Sequence, residues 1–136
     1  MYANKIAVVI LTDLADWQKL NVTVLLASSV ATYFPETHGA PLVSDTGTAY
    51  LPFLKHPILV YAADSGEQIK RAFSRAAERQ VHLGIYTRDL FETKNEDGNL
   101  AAIAKHTDTD LDLVGLSSTE KIKKVDKAVD KLKFHA

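Results

Sequence analysis

Ile6-Ala7-Val8-Val9-Ile10-Leu11-Thr12-Asp13-Leu14 opens with six apolar residues in a row and then turns polar at Thr12-Asp13. A strand with one wet face alternates apolar and polar side chains, whereas an unbroken Ile/Val-rich run marks a strand covered on both faces. Residues 6–11 are therefore expected to form a central strand. After them, from about Trp17 to Tyr33, the residues Leu20, Val24, Ala27, Val30, Ala31 and then Phe34 recur at steps of three and four. That spacing predicts a long helix burying this stripe, ended by Pro35 and Gly39.

The pattern of strand followed by helix recurs along the chain. Pro57 to Ala62 reads as a second core strand, and Ser65 with Gln68 three residues on is a capping-box start for a helix whose apolar face is Ile69, Ala72, Phe73, Ala76 and Ala77. Val81, Leu83 and Ile85 alternate in a third strand ending near Thr87, with a polar loop from Arg88 to Gly98 and a short helix over Leu100 to Lys105. Leu111 to Leu116 reads as the fourth strand. Ser117 and Glu120 then cap a last helix facing the core through Ile122, Val125, Val129 and Leu132. Between Gly39 and Pro52, Val43, Thr48 and Tyr50 around Asp45-Thr46-Gly47 predict a small hairpin or ordered loop. Strands alternating with helices imply an α/β fold of three layers, α/β/α, with four strands in a mixed sheet, because the excursion before the fourth strand permits antiparallel pairing.

With 136 residues the chain fits one domain spanning residues 1–136, and its 46% hydrophobic and 24% charged residues are ordinary for a globular protein. Sixteen basic against 17 acidic side chains leave a net charge of −1, so no global positive field draws in nucleic acid. The chain has no cysteine, which excludes disulfides and thiolate chemistry and fits a reducing compartment. The opening residues carry no secretory pattern, and no apolar stretch approaches the roughly 20 residues that span a bilayer. A cytoplasmic protein without a membrane partner is expected. No cofactor motif or metal site is readable: His38, His56, His82, His106 and His135 are scattered without a ligand set.

Three segments carry a resemblance. Val8-Val9-Ile10-Leu11-Thr12-Asp13-Leu14, Pro57-Ile58-Leu59-Val60 through to Val81-His82-Leu83-Gly84-Ile85-Tyr86 with Asp89, and Val114-Gly115-Leu116 with Asp126-Lys127 and Leu132-Lys133-Phe134 resemble the class II peptidyl-tRNA hydrolases. They are still more similar to a bacterial family, domain of unknown function two thousand. The resemblance implies a peptidyl-tRNA hydrolase II-like fold with strand order two, one, four, three and the fourth strand reversed. It also implies a homodimer, the commonest symmetric assembly. By position it assigns Lys19, Asp89 and Thr93 to catalysis. The hydrolases follow their third strand with Asp-Ala-Gly-Arg-Thr-Gln, whereas this chain has Asp89-Leu90-Phe91-Glu92-Thr93-Lys94, and Thr23 and Leu26 replace the glutamine and histidine of their first helix. Peptidyl-tRNA hydrolysis is accordingly expected to be absent or weak, and tRNA is a doubtful partner.

Strand ends and helix starts gather at one edge of an open α/β sheet, where ligands bind. Asp13, Lys19, Asn21, Asp89 and Thr93 are expected there as one small-molecule pocket, with Asp13 and Asn21 contacting the ligand. A lysine beside carboxylates polarises a carbonyl while an aspartate acts as general base; a solvated ion pair explains the same residues without chemistry. Asn21 is a poor helix former that serves a ligand or pairs with a loop. Asp45-Thr46-Gly47 has the spacing of an aspartic-protease triplet but reads better as a turn. Lys121, Lys123, Lys124, Lys127, Lys131 and Lys133, interrupted by Glu120, Asp126 and Asp130, read as a solvated, pair-laced face rather than an RNA stripe. Three functions remain open on these grounds: a ligand-pocket protein, a hydrolase of peptidyl-tRNA or a related ester, and a non-catalytic binding module.

Overall fold

The computed structural model describes residues 4–135, without the side chains of residues 121–123. β1 (Asn4–Leu11) is buried from Lys5 onward, so the apolar run is covered on both faces. It pairs in parallel with β4 (Ile58–Ala63) and antiparallel with β6 (Leu113–Lys121). β5 (Leu83–Thr87) lies antiparallel on the far side of β6, and β7 (Lys133–Phe134) lies antiparallel on the outer edge of β4. The result is a mixed sheet of five strands in the order β5-β6-β1-β4-β7.

The expectation of four strands is corrected by β7. A two-residue strand carries no period of its own, and Lys133 and Phe134 are placed by pairing with Ala62 and Tyr61 and by stacking of Phe134 on Tyr61 at 5.0 Å. The last helix is corrected with it. β6 runs on through Ser117, Ser118 and Thr119, which pair with Val8, Ala7 and Ile6, and the helix that follows, α4 (Ile122–Ala128), is short. The supposed cap Ser117 is a buried strand residue, because the middle of β1 needs a partner along its whole length. Lys121 and Lys123 of the expected basic face lie outside the described side chains.

α1 (Asp16–Tyr33) covers one face of the sheet. It approaches closely because Gly115 has no side chain: a Cβ there would stand 2.7 Å from Val22 Cγ1 and 2.8 Å from Leu26 Cδ1. α2 (Gly66–Glu78) and α4 cover the other face, where Ala72, Ala76, Ala128 and Val129 meet Ala7, Val9, Leu116 and Ser118. Ser65 caps α2 by accepting from the Gln68 amide at 3.2 Å, while the Gln68 side chain reaches back to the Asp64 amide at 2.8 Å. Burying each large aliphatic side chain of these layers stabilises the fold by about 1.5–3 kcal/mol.

The stripe expected to bury α1 is buried only in part: Val30 is covered as expected, and Ala27, Ala31 and Phe34 are half-buried. Val22, Leu26 and Val30 face the sheet, whereas Leu20 is 70% exposed and Val24 66%. α1 is apolar on both sides, so its periodicity fits two orientations. β2 (Leu42–Val43) and β3 (Ala49–Tyr50) form the small hairpin, turned by Asp45-Thr46-Gly47 with Gly47 at φ 89°. The short helix starts earlier than expected, as α3 (Glu96–Ala104), because Asn95 accepts from the Gly98 amide at 2.8 Å and caps it there. The segment Arg88–Glu92, expected as a loop, is a 3-10 turn. None of the described helices is long and apolar enough to cross a membrane.

Candidate functional site

Trp17, Asn21, Leu25, Ser28 and Ser29 recur every three or four residues and so share one flank of α1. This flank overhangs β5, and the Arg88–Glu92 turn and α3 rise opposite it. Between them runs a trough of about 730 Å³. Its walls are apolar and aromatic: Trp17 meets Phe91 edge-on at 5.9 Å, and Phe91 leans on Tyr86 at 5.0 Å. Its polar groups are mostly uncharged, namely Asn21, Thr93, Asn95 and Asn99; Lys94 and Glu96 are its charged lining residues among those described. A second hollow of about 510 Å³, lined by Tyr33, Phe34, His82 and Gly84, continues it and shares Ser28 and Ser29. Below this end the buried Ser117 hydroxyl has no hydrogen-bond partner among the described residues and lies against Gly84.

The trough thus follows the outer edge of the sheet, since β5 is the terminal strand. Thr93 Oγ1 donates to the Leu90 carbonyl at 2.8 Å and also meets Asn99 Oδ1. A hydroxyl has one proton, so only one of these is donated at a time and the Asn99 amide stays available to a ligand. Asn21, at the opposite wall, makes no side-chain hydrogen bond with a described residue and is exposed. Burial in the floor raises the Tyr86 phenol above its ordinary pKa.

Of the residues expected to share a pocket, Asn21 and Thr93 line this trough together. Lys19 does not line it. Two residues along a helix are about 200° of rotation, which turns Lys19 away from the flank that carries Asn21. Asp13 lies at the sheet edge 4.0 Å from Arg88, which also holds Asp112 at 3.3 Å. Asp89 accepts from Thr87, buried at the end of β5, and stands 3.2 Å from His106 Nε2, whose Nδ1 is 3.4 Å from Asp110. The Thr87 hydroxyl above all, and then His106, hold the Asp89 carboxyl below the usual carboxylate range against the opposing effect of burial. Among the described residues no group of three or more His, Asp or Glu is arranged to hold a metal ion.

Trp17, Phe91 and Asn99 were not singled out by sequence. A signal existed for Trp17, the single tryptophan of the chain, at four-residue spacing from Asn21 and Leu25. None existed for His106, which meets Asp89 across 17 positions.

A family model described as "Protein of unknown function (DUF2000)" matches residues 4–136. The chain belongs to this family. It is also similar over its full length to a solved structure, that of the protein of unknown function Atu0240 from Agrobacterium tumefaciens strain C58. The two are 33% identical, 100% of each chain is covered, and the TM-score is 0.94. No curated protein matches.

Proposed function

We propose that the protein binds an elongated, uncharged small molecule in the trough between α1, β5 and α3. The observation that carries this reading is the lining: apolar and aromatic walls with amides and hydroxyls spaced along them, and one cation offset by Glu96. Ligand sites are mostly apolar with a few placed polar groups, and this trough has that character at a volume suited to a drug-sized molecule. The Asn21 and Asn99 amides offer donors and acceptors from opposite walls. A phosphate-rich ligand would find little positive charge there.

The test is thermal denaturation and Trp17 fluorescence with uncharged acyl amides and aliphatic alcohols, against fatty carboxylates and nucleotides as charged controls. An uncharged ligand at about 100 times its dissociation constant stabilises the fold by about 2.7 kcal/mol. We expect that gain, with a change in Trp17 emission, and its loss in Asn21→Leu and Asn99→Leu. Stabilisation by nucleotides alone would overturn the reading.

The hydrolase reading ranks second, and one observation favours it: where β1 and β5 end, Asp13 stands 4.0 Å from Arg88, the residue that precedes Asp89. The likeness to the peptidyl-tRNA hydrolase fold is supported by β4, β1, β6 and β5 lying side by side in that order with β6 reversed. In this reading Lys19, Asp89 and Thr93 carry hydrolysis. Asp89, held ionised by Thr87 and His106, is a weak base near neutral pH, which is why it ranks second. Turnover of peptidyl-tRNA that disappears in Lys19→Ala would promote it; no turnover is expected.

A further inference from the structure

The β2–β3 hairpin and the outer face of α1 are two exposed apolar surfaces that none of the described residues covers. Every residue from 40 to 53 is exposed, including Leu51 at 86% and Phe53 at 73%, so no described part of the chain buries the turn or either strand. Yet the hairpin is a defined arm. Its base is held by the Gly39 amide on the Phe53 carbonyl at 2.8 Å and the Lys55 amide on the buried Thr37 carbonyl at 2.8 Å. An isolated two-stranded hairpin is marginal in water, and one with Leu42, Val43, Tyr50, Leu51 and Phe53 in solvent is more so. α1 meanwhile presents Trp17, Leu20 and Val24 outward while burying its opposite side, and a helix with a second apolar stripe beside its core-facing one has a surface suited to a further cover.

We propose that two copies of the chain pair about a twofold axis, each laying its β2–β3 hairpin on the outer face of α1 of the other. A twofold axis buries both surfaces of both copies at once and leaves neither repeated in an open array. The area is adequate. At roughly 100 Å² apiece the eight side chains named above expose about 800 Å² per copy, what each partner of a standard stable interface buries. The charge pattern selects the same occupant. α1 carries no charge after Lys19, and the hairpin carries only Asp45 between Gly39 and Leu54, so neither surface is built for nucleic acid or an anionic bilayer. Because Trp17 belongs both to the outer face and to the trough, the arm of one copy lies along the rim of the site in the other.

The test uses the full chain in sedimentation velocity and fluorescence. The wild type is expected to be a dimer whose Trp17 emission moves to longer wavelength on dilution. Leu51→Glu and Val24→Glu each abolish the dimer and the emission change, with unchanged far-ultraviolet circular dichroism, since both side chains are exposed in the single copy. The chain has no cysteine, so contact is read directly. A mixture of Leu51→Cys and Val24→Cys chains should cross-link under mild oxidation while either variant alone does not. Cross-linking of Leu51→Cys with itself, a wild type that stays monomeric at high concentration, or a monomer that instead floats with neutral lipid vesicles would each overturn the proposal.

Discussion

β1 and the β2–β3 hairpin are both rich in apolar residues, and their surroundings could hardly differ more. Ile6 and Val8 are fully shielded, whereas Val43 is 65% exposed and Leu51 86%. The hairpin has one antiparallel ladder, the kind that β1 makes with β6 beside its parallel ladder with β4. What separates them is the second layer: β1 has neighbours on both sides and helices on both faces, and among the described residues the hairpin's sheet consists of its own two strands. Apolar residues in a strand therefore report that something covers it, and the identity of the cover is set by tertiary structure. In β1 the cover belongs to the same chain. In the hairpin it has to come from elsewhere.

The sharpest contrast is a pair of truncations. Ile10→Ala should destabilise the fold by about 2–5 kcal/mol in denaturant titrations. Leu51→Ala, measured at concentrations low enough for a single copy, should change it by less than about 0.5 kcal/mol. Equal effects would break the comparison, since they would place the hairpin in the core of its own copy. Next in size is Gly115→Ala, where a methyl meets Val22 and Leu26 and overpacks the α1 interface, costing about 1–3 kcal/mol of unfolding free energy.

The smallest effect concerns Asp89, which sits between the extremes with its side chain 41% exposed. Its carboxyl is held below the ordinary range by Thr87 and His106, so the stabilisation is complete above about pH 4 and fades as pH falls through the lowered folded value. Asp89→Asn should cost about 1 kcal/mol or less at neutral pH, a modest figure because solvent screens the group. The gap between variant and wild type should close in melts carried out below about pH 4. A gap that instead widens in acid would assign the stability to another group.

Much of the sheet was readable because its inner strands announce themselves locally: β1, β4 and β5 carry apolar runs or alternation within a few residues of their observed bounds. Three elements were not. α1 offers Leu20 and Val24 as well as Val22 and Leu26 at helical spacing, and the close approach of Val22 and Leu26 over Gly115 is a tertiary contact with no local signal. Ser117, Ser118 and Thr119 look like a helix start, yet they complete β6, since hydroxyl side chains are tolerated in a central strand where the backbone is paired. β7 is too short for any periodic signal. In the site, Asn21 and Thr93 could be placed near a common edge, but the opposing wall of Phe91, Asn99 and Leu100 depends on where Asn95 starts α3. Lys5, buried against the Tyr61 hydroxyl at 2.9 Å and paired with Asp126, was also invisible, because its partners lie far along the chain.

The position of β6 has a bearing on how the protein is made. Among the described residues β5 has β6 as its one neighbouring strand, and β6 separates it from β1. A growing chain on the ribosome thus emits β1, α1, β4, α2 and β5 before the strand that joins them exists. Until residues 113–121 leave the exit tunnel, β5 has no ladder to enter and the sheet-facing side of α1 lacks half its floor. Folding that waits on such distant pairings is slow and leaves apolar segments waiting in solvent. Newly made chains should therefore lean on chaperones late in synthesis, when β1 and α1 have long been exposed and their central partner has just appeared.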